Sequence, residues 1–230
     1  MTGRTIAGEP ARGAHLLPVD ALPQLDVPLT TGGLVLGHIR QQPVVVRLFG
    51  NRPTYVGIFA AAYVARLLAF RALAVGAQVT VLTPGPARWQ SLASAAPPRR
   101  VAVDRPGLPT PTGNTAVRPL LLCEDVGAGE HPLRRDLSAW QTQAQLWPFV
   151  TPQLIAPLRS FDLVILQRIQ PEAVHPVQRA FGLPEQTARW FAQMPDDTVA
   201  ALAEGRVQFV NLLPTSTETA AFGPPTRHDT

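Results

Sequence analysis

Two adjacent acids, Glu124 and Asp125, directly follow the apolar run Leu120–Cys123, which predicts a buried strand. Ligands of open α/β sheets bind at the carboxyl ends of the strands, where acids could act as general acid or base. These are the only acids placed where catalysis would require them. We favour the structural alternative, two acids placed where a strand runs into a polar loop, and assign no catalytic residue.

A second candidate segment joins the predicted strand Thr54–Phe59 to a predicted helix over Ala60–Val75, which Gly76 ends. Phosphate-binding P-loops make the same connection as G-x-x-x-x-G-K-[ST]; their glycines expose backbone N–H groups, the lysine contacts phosphate and the hydroxyl holds Mg²⁺. An ordinary turn between a strand and a helix is the alternative for this segment.

Aligned on that pattern, the segment keeps the first glycine and has lost the other three functional residues. The degenerate P-loop positions are Gly57, Ala62 for the second glycine, Tyr63 for the lysine and Val64 for the hydroxyl residue. Without the lysine and the Mg²⁺ ligand, the electrostatic clamp for phosphoryl transfer is missing. We therefore expect no ATP hydrolysis, no cofactor and no metal.

All 20 basic residues are arginine, and the formal net charge is +4. A GC-rich genome explains this composition, and the alternative, a nucleic-acid surface, lacks support because the arginine pairs are not interleaved with aromatics. Arg52 or Arg66 could still clamp a phosphate in a small nucleotide-binding protein or enzyme that uses Glu124 and Asp125.

The order of predicted elements favours an α/β fold with a mainly parallel, buried sheet and flanking helices. Strand, helix and the strand Gln78–Thr83 form a βαβ unit, and a β-hairpin precedes it. Further strands are predicted over 100–103, 145–150 and 161–166, helices over 86–95, 171–181 and 185–193, and a hairpin over 198–203 and 207–212.

The composition predicts a flexible arm over residues 1–30, one α/β domain over 31–213 and a tail over 214–230. Residues 104–115, rich in proline and glycine, are expected to form a mobile loop. The most apolar stretch, 54–77, carries Arg66 and Arg71, so we expect no transmembrane segment. The expected location is the cytoplasm, at the periphery of a membrane complex.

Other residue types give weaker signals. Cys123 lies inside an apolar run and is expected to be a small buried side chain rather than a nucleophile. The five histidines show no metal-ligand spacing. Trp140, Trp147 and Trp190 are interpreted as core residues, and a surface cluster of them would instead mark a protein partner.

The order of segments over residues 32–213 resembles the FtsK/HerA class of P-loop motor domains. The similarity rests on the hairpin Leu36–Leu48, the strand before Gly57 and a Walker-B-like strand ending in Glu124 and Asp125. The resemblance implies a RecA-like fold and makes Gln167 and Arg168, after Phe161–Leu166, sensor-like positions.

The same pattern is similar to small actinobacterial proteins associated with type VII (ESX) secretion, whose motor is an FtsK-like ATPase. That resemblance rests on Pro43–Leu82, Leu166–Arg168 and Pro214–Glu218. It implies a non-catalytic ATPase-like subunit that binds a protein, such as an FtsK-like motor or a second copy of itself. A small nucleotide-binding protein or enzyme is the alternative.

Overall fold

The computed structural model describes residues 33–127 and 133–227, so the predicted arm over 1–30 lies outside the described residues. The strands are β1 (Leu34–Ile39), β2 (Gln42–Val46), β3 (Thr54–Phe59), β4 (Gln78–Leu82), β5 (Val101–Asp104), β6 (Leu120–Asp125), β7 (Gln141–Trp147), β8 (Leu163–Leu166), β9 (Thr198–Ala203) and β10 (Arg206–Asn211). The α-helices are α1 (Ala62–Ala74), α2 (Gln90–Ala95), α3 (Pro171–Phe181), α4 (Glu185–Arg189) and α5 (Ser216–Phe222).

All ten strands join one sheet in the order β2-β1-β10-β9-β8-β3-β7-β6-β4-β5. The six strands from β8 to β5 in that order run parallel to one another, and the other four pair antiparallel. The predicted α/β class, with a mainly parallel sheet, flanking helices and an N-terminal hairpin, is confirmed.

Alternating side chains of the central strands fill two cores on opposite faces of the sheet. On β8, Ile165 belongs to the core that contains α1, while Val164 and Leu166 belong to the core that contains α3 and α4. Helix α1 has nine buried residues and a continuous apolar surface. It therefore packs as a central helix between the sheet and the later helix α5.

The segment predicted as a tail contains helix α5. Thr215 caps this helix through a capping box with Glu218. Glu218 in turn accepts hydrogen bonds from Arg71 on α1 at 2.7 and 2.9 Å, and Arg71 also donates to Leu36 O and Leu212 O. The ordered unit thus extends beyond residue 213, because one partly buried arginine joins α1, β1, the end of β10 and α5.

Two further elements differ from their predicted form. Strand β7 begins at Gln141, four residues before the predicted start. The prediction missed this part of the strand because its alternating glutamines look polar in sequence. The predicted mobile loop over 104–115 has little regular structure, yet the Gln141 side chain donates to Pro111 O and to Asn114 Oδ1, both at 2.8 Å. This loop is fastened to the sheet.

Candidate functional site

The connection from β3 to α1 consists of two residues, Ala60 and Ala61. Ala60 N–H still pairs with Trp147 O at 3.0 Å, which extends the strand ladder, and α1 begins at Ala62. A phosphate-wrapping loop needs several residues between the strand and the helix. This turn has no room for one.

The four predicted P-loop positions lie in regular structure. Gly57 is inside β3, and a Cβ atom there would lie 2.9 Å from the ring of Phe161. Its small size therefore admits an aromatic ring to the strand, and it serves packing. Ala62, Tyr63 and Val64 form the first turn of α1 and are at most 1% exposed.

Tyr63, at the position aligned with the P-loop lysine, is wholly buried, so its ring packs in the core and does not face outward as an anchor for a partner. Its hydroxyl has no hydrogen-bond partner among the described residues. Burial, followed by the negative charge of Glu218, raises the pKa of Tyr63 above its ordinary value.

The side chain of Gln167, one of the two sensor-like residues, contacts the backbone at the start of α1. Its Oε1 accepts from Ala61 N–H at 3.1 Å, and its Nε2 donates to Asp196 O and Thr226 O at 2.9 and 3.1 Å. The side chain is 2% exposed. Gln167 thus links α1 to the loop before β9 and to the C-terminal segment, and its polar atoms are engaged. The neighbouring Arg168 pairs with Asp196 at 2.9 Å.

Asp125, at the carboxyl end of β6, is held by two donors from the segment after β4. Thr83 Oγ1 and Arg88 Nη2 both donate to Asp125 Oδ2, at 2.8 and 2.6 Å. The Asp125 side chain is 2% exposed. A guanidinium group therefore occupies the position beside this carboxylate where a cation would otherwise bind.

Glu124 points to the opposite face of the sheet, as consecutive strand residues do. Arg135 Nε donates to Glu124 Oε1, and Gln143 and Gln145 of β7 donate to Oε2, the latter at 3.2 Å. Because the two acids face opposite ways, they cannot act on one substrate as a pair. Each is neutralised by its own arginine.

Three glutamines of β7 form a polar ladder that sequence analysis missed. Gln141, Gln143 and Gln145 are 1–3% exposed and point to one face of the sheet. Besides binding Glu124, Gln143 and Gln145 both donate to Leu133 O, and the Gln143 side chain accepts from Arg135 N–H. This ladder holds loops against a sheet face, and its sequence signal was the period-two spacing of the glutamines.

Arg52 cannot complete a phosphate site with the two acids, which corrects that part of the enzyme alternative. It precedes β3, whereas the acids end the parallel strand β6 at the other edge of the sheet. A six-residue strand separates the two edges by about 20 Å. Arg66 lies on α1 and donates to Arg88 O at 2.7 Å.

A cleft of about 400 Å³ remains at the carboxyl edge, beside the first turn of α1. Phe59, Ala60 and Ala61 line it together with three arginines, Arg88, Arg168 and Arg227. Two of these arginines are already paired with Asp125 and Asp196. The cleft is positively charged, and it is narrowed by the C-terminal segment that Gln167 holds in place.

The remaining candidate chemistry is absent from the described part of the chain. Cys123 is buried in β6, and burial, followed by the charge of Glu124, raises its pKa to about 12. The thiol is therefore protonated and unreactive at neutral pH. No cluster of three metal-ligating side chains occurs among residues 33–127 and 133–227. Of the three tryptophans interpreted as core residues, Trp147 is buried and Trp140 is partly buried, whereas Trp190 is 54% exposed, so the interpretation is wrong for Trp190.

No protein family and no curated protein matches this sequence. Among solved structures, the chain is similar to the genome packaging NTPase B204 from Sulfolobus turreted icosahedral virus 2. The complex of that protein with AMP superposes with a TM-score of 0.49 and 8% identity over 74% of this chain and 100% of the other. The complex with AMPPCP gives a TM-score of 0.48, 8% identity and coverage of 72% and 98%.

Proposed function

We propose that this chain is a non-catalytic, ATPase-like subunit that binds a protein partner. The observation that carries the proposal is the two-residue connection between β3 and α1. Both of its backbone N–H groups already donate hydrogen bonds, that of Ala60 to Trp147 O and that of Ala61 to the Gln167 side chain. Phosphoryl transfer depends on a phosphate-wrapping loop, a lysine and a bound Mg²⁺. This chain contains no lysine, and its strand–helix turn has no room for the loop.

The state of the two acids supports the same conclusion. A general base must offer a free lone pair to the water or hydroxyl that it activates. Glu124 and Asp125 are both buried and both paired with arginine. Their chemistry is used to hold loops and the segment after β4 in place.

The partner we propose is a motor ATPase of the FtsK type, in the setting of type VII secretion. This part of the proposal rests on the resemblance of Pro43–Leu82 and Pro214–Glu218 to proteins of that system. No helix of the described residues is long and apolar enough to cross a bilayer. We therefore place the proposed contact on the protein surface.

Two measurements on the purified full chain test the proposal. We expect no phosphate release from Mg-ATP above a protein-free blank, and we expect the chain to co-elute with the FtsK-like motor encoded in the same operon. Turnover that is abolished by Glu124→Ala or Asp125→Ala would refute the non-catalytic assignment. A motor that elutes separately at micromolar concentrations of both proteins would refute the partner.

A second candidate function, nucleotide or phosphate binding without hydrolysis, is favoured by one observation. Three arginines line the cleft beside α1, and arginine binds phosphate oxygens bidentately. Ligands that bind only the folded state raise its melting temperature in proportion to their excess over Kd. A rise with ATP that Arg227→Ala removes would establish this function, and an unchanged melting temperature up to millimolar ATP would exclude it.

A further inference from the structure

A groove of about 660 Å³ lies at the amino ends of β3 and β8, at the opposite edge of the sheet from the cleft beside α1. Val46 at the end of β2, Thr54 at the start of β3 and Leu163 at the start of β8 all contribute to its lining. Its volume is within the range of ligand pockets, roughly 300–1,000 Å³. Of the candidate site residues discussed above, Arg52 alone contributes to its lining.

The groove exists because the antiparallel end of the sheet curls. Four strands separate β2 from β3 in the sheet order, yet residues of both line one groove. The bend lies at β1 and β10, which pair only through His38 and Asn211, next to a bulge in β1. Gly37 permits this approach, since a Cβ atom there would lie 2.2 Å from Asn211 O.

Three arginines from separate chain segments converge on this groove. Arg47 follows β2, Arg52 lies in the turn before β3 and Arg206 opens β10, and all three are exposed. None of them forms an ion pair with a carboxylate in the described part of the chain. Asp162, also in the lining, instead accepts from Tyr55 N–H at 2.8 Å.

Apolar side chains lie between these charges. Val45 is 47% exposed and lines the groove together with Val46 and the half-buried Phe49. A ligand that matches this surface carries negative charges spaced by apolar groups. An extended peptide has this pattern, because its successive side chains alternate in direction.

We propose that this groove binds an acidic, partly apolar peptide segment of the partner protein, an inference that rests on the proposed function. Nucleic acid fits the lining less well. Stacking of bases needs exposed aromatic rings, and the aromatic residue of the lining, Phe49, is half-buried. Electrostatic complementarity of this kind sets partner specificity and association rate.

The test uses a fluorescein-labelled ten-residue peptide in which glutamate and valine alternate, with fluorescence anisotropy as the readout. The double variant Arg52→Glu, Arg206→Glu reverses two charges of the groove. The matched control, Arg105→Glu with Arg118→Glu, reverses two exposed arginines outside it. Unchanged melting temperatures will verify that both variants fold.

We expect the full chain to bind this peptide at least tenfold more tightly than its glutamine-for-glutamate analogue. The groove variant should lose that tenfold preference, the control variant should keep it within twofold, and added salt should weaken binding. The inference is overturned by a groove variant that binds as the unmodified chain does, by no binding up to millimolar peptide, or by equal binding of a labelled DNA duplex.

The motor protein separates this inference from the proposed function. If the motor binds the unmodified chain and the groove variant equally, the proposed function stands and the groove inference fails. If the acidic peptide binds in the groove while the motor does not bind at all, the groove inference stands and the proposed partner fails.

Discussion

Tyr63, at the position aligned with the P-loop lysine, is a core residue of helix α1. Its ring is wholly buried in α1, and its hydroxyl has no partner among the described residues. A buried hydroxyl without a partner retains its desolvation cost. The residue at the predicted lysine position therefore contributes through its ring.

We predict that Tyr63→Phe leaves the free energy of unfolding unchanged or raises it by up to about 1 kcal/mol, because it removes only the unpartnered hydroxyl. Tyr63→Ala should lower it by about 3–5 kcal/mol through the cavity left behind. Urea denaturation measures both. The control is Tyr55→Phe, which should be destabilising because Tyr55 OH donates to Arg135 O at 3.1 Å. Equal effects of the two Tyr→Phe changes would contradict this account.

Glu218 gives the fold a pH dependence with a defined sign. Burial alone would raise its pKa, but hydrogen bonds from Arg71 and Thr215, together with the charge of Arg71, outweigh burial and hold the pKa below 4.5. A depressed folded pKa stabilises the protein at pH values above the unfolded pKa. That stabilisation is lost as the pH falls through the folded pKa.

We therefore predict that Glu218→Gln destabilises the protein by roughly 1–3 kcal/mol at pH 7. The difference from the unmodified chain should shrink as the pH falls below about 4.5. Thermal or urea unfolding between pH 3 and pH 7 measures it. Glu185→Gln is the control, since its pair with Arg189 is about 70% exposed and should matter little. A pH-independent difference would show that the Glu218 charge is not the stabilising feature.

At the scale of elements, hydrophobic pattern predicted most strands and the central helix correctly. Apolar runs such as Leu120–Cys123 and the uninterrupted stretch that became α1 have one low-energy placement, inside a sheet or beneath it. The start of β7 was missed because Gln141 and Gln143 are buried polar residues. Their place depends on the partners Pro111 and Glu124, which are distant in sequence.

The candidate site shows the same limit more sharply. The positions Gly57 to Val64 match the spacing of a P-loop motif. Spacing alone does not reveal how many residues connect the end of the strand to the start of the helix. Here the Phe161 ring against Gly57 and the Gln167 side chain at Ala61 determine the geometry. Both contacts join residues more than 100 positions apart.

The loop over 105–114 offers a test of the glutamine ladder. We predict that Gln141→Ala releases this loop, because the side chain supplies its bonds to Pro111 O and Asn114 Oδ1. Digestion by a protease of broad specificity should then cut within 105–114 several times faster than in the unmodified chain. Gln153→Ala, at an exposed position, is the control and should change nothing. Equal cleavage rates in all three proteins would mean that the ladder does not hold the loop.

At the scale of the whole molecule, the sheet presents two different edges. At the carboxyl edge, Gln167 and the C-terminal segment occupy the start of α1, and the acids are paired internally. At the amino edge, the curled hairpin leaves Arg47, Arg52 and Arg206 open to a ligand. The polar groups at the carboxyl edge are thus largely engaged within the chain, apart from the arginine-lined cleft beside α1, whereas the three arginines at the amino edge have no carboxylate partner in the described part of the chain.

This arrangement predicts that introducing the P-loop residues does not produce ATPase activity. The triple variant Ala62→Gly, Tyr63→Lys, Val64→Ser recreates the missing P-loop residues in sequence. The turn before them would still contain only two residues, and the new lysine would replace a wholly buried ring. An unpaired buried charge destabilises a protein by about 3–5 kcal/mol.

We therefore expect the triple variant to lose at least that much stability and to show neither phosphate release nor a rise in melting temperature with Mg-ATP. Calorimetry and a phosphate-release assay at a temperature below the variant's melting point measure this. The single change Val64→Ser, which adds no charge, is the control for loss of activity through unfolding and should also be inactive. Nucleotide-dependent stabilisation of the triple variant, with turnover that Asp125→Ala abolishes, would show that the strand–helix turn can open into a P-loop and that the non-catalytic assignment depends on three side chains alone.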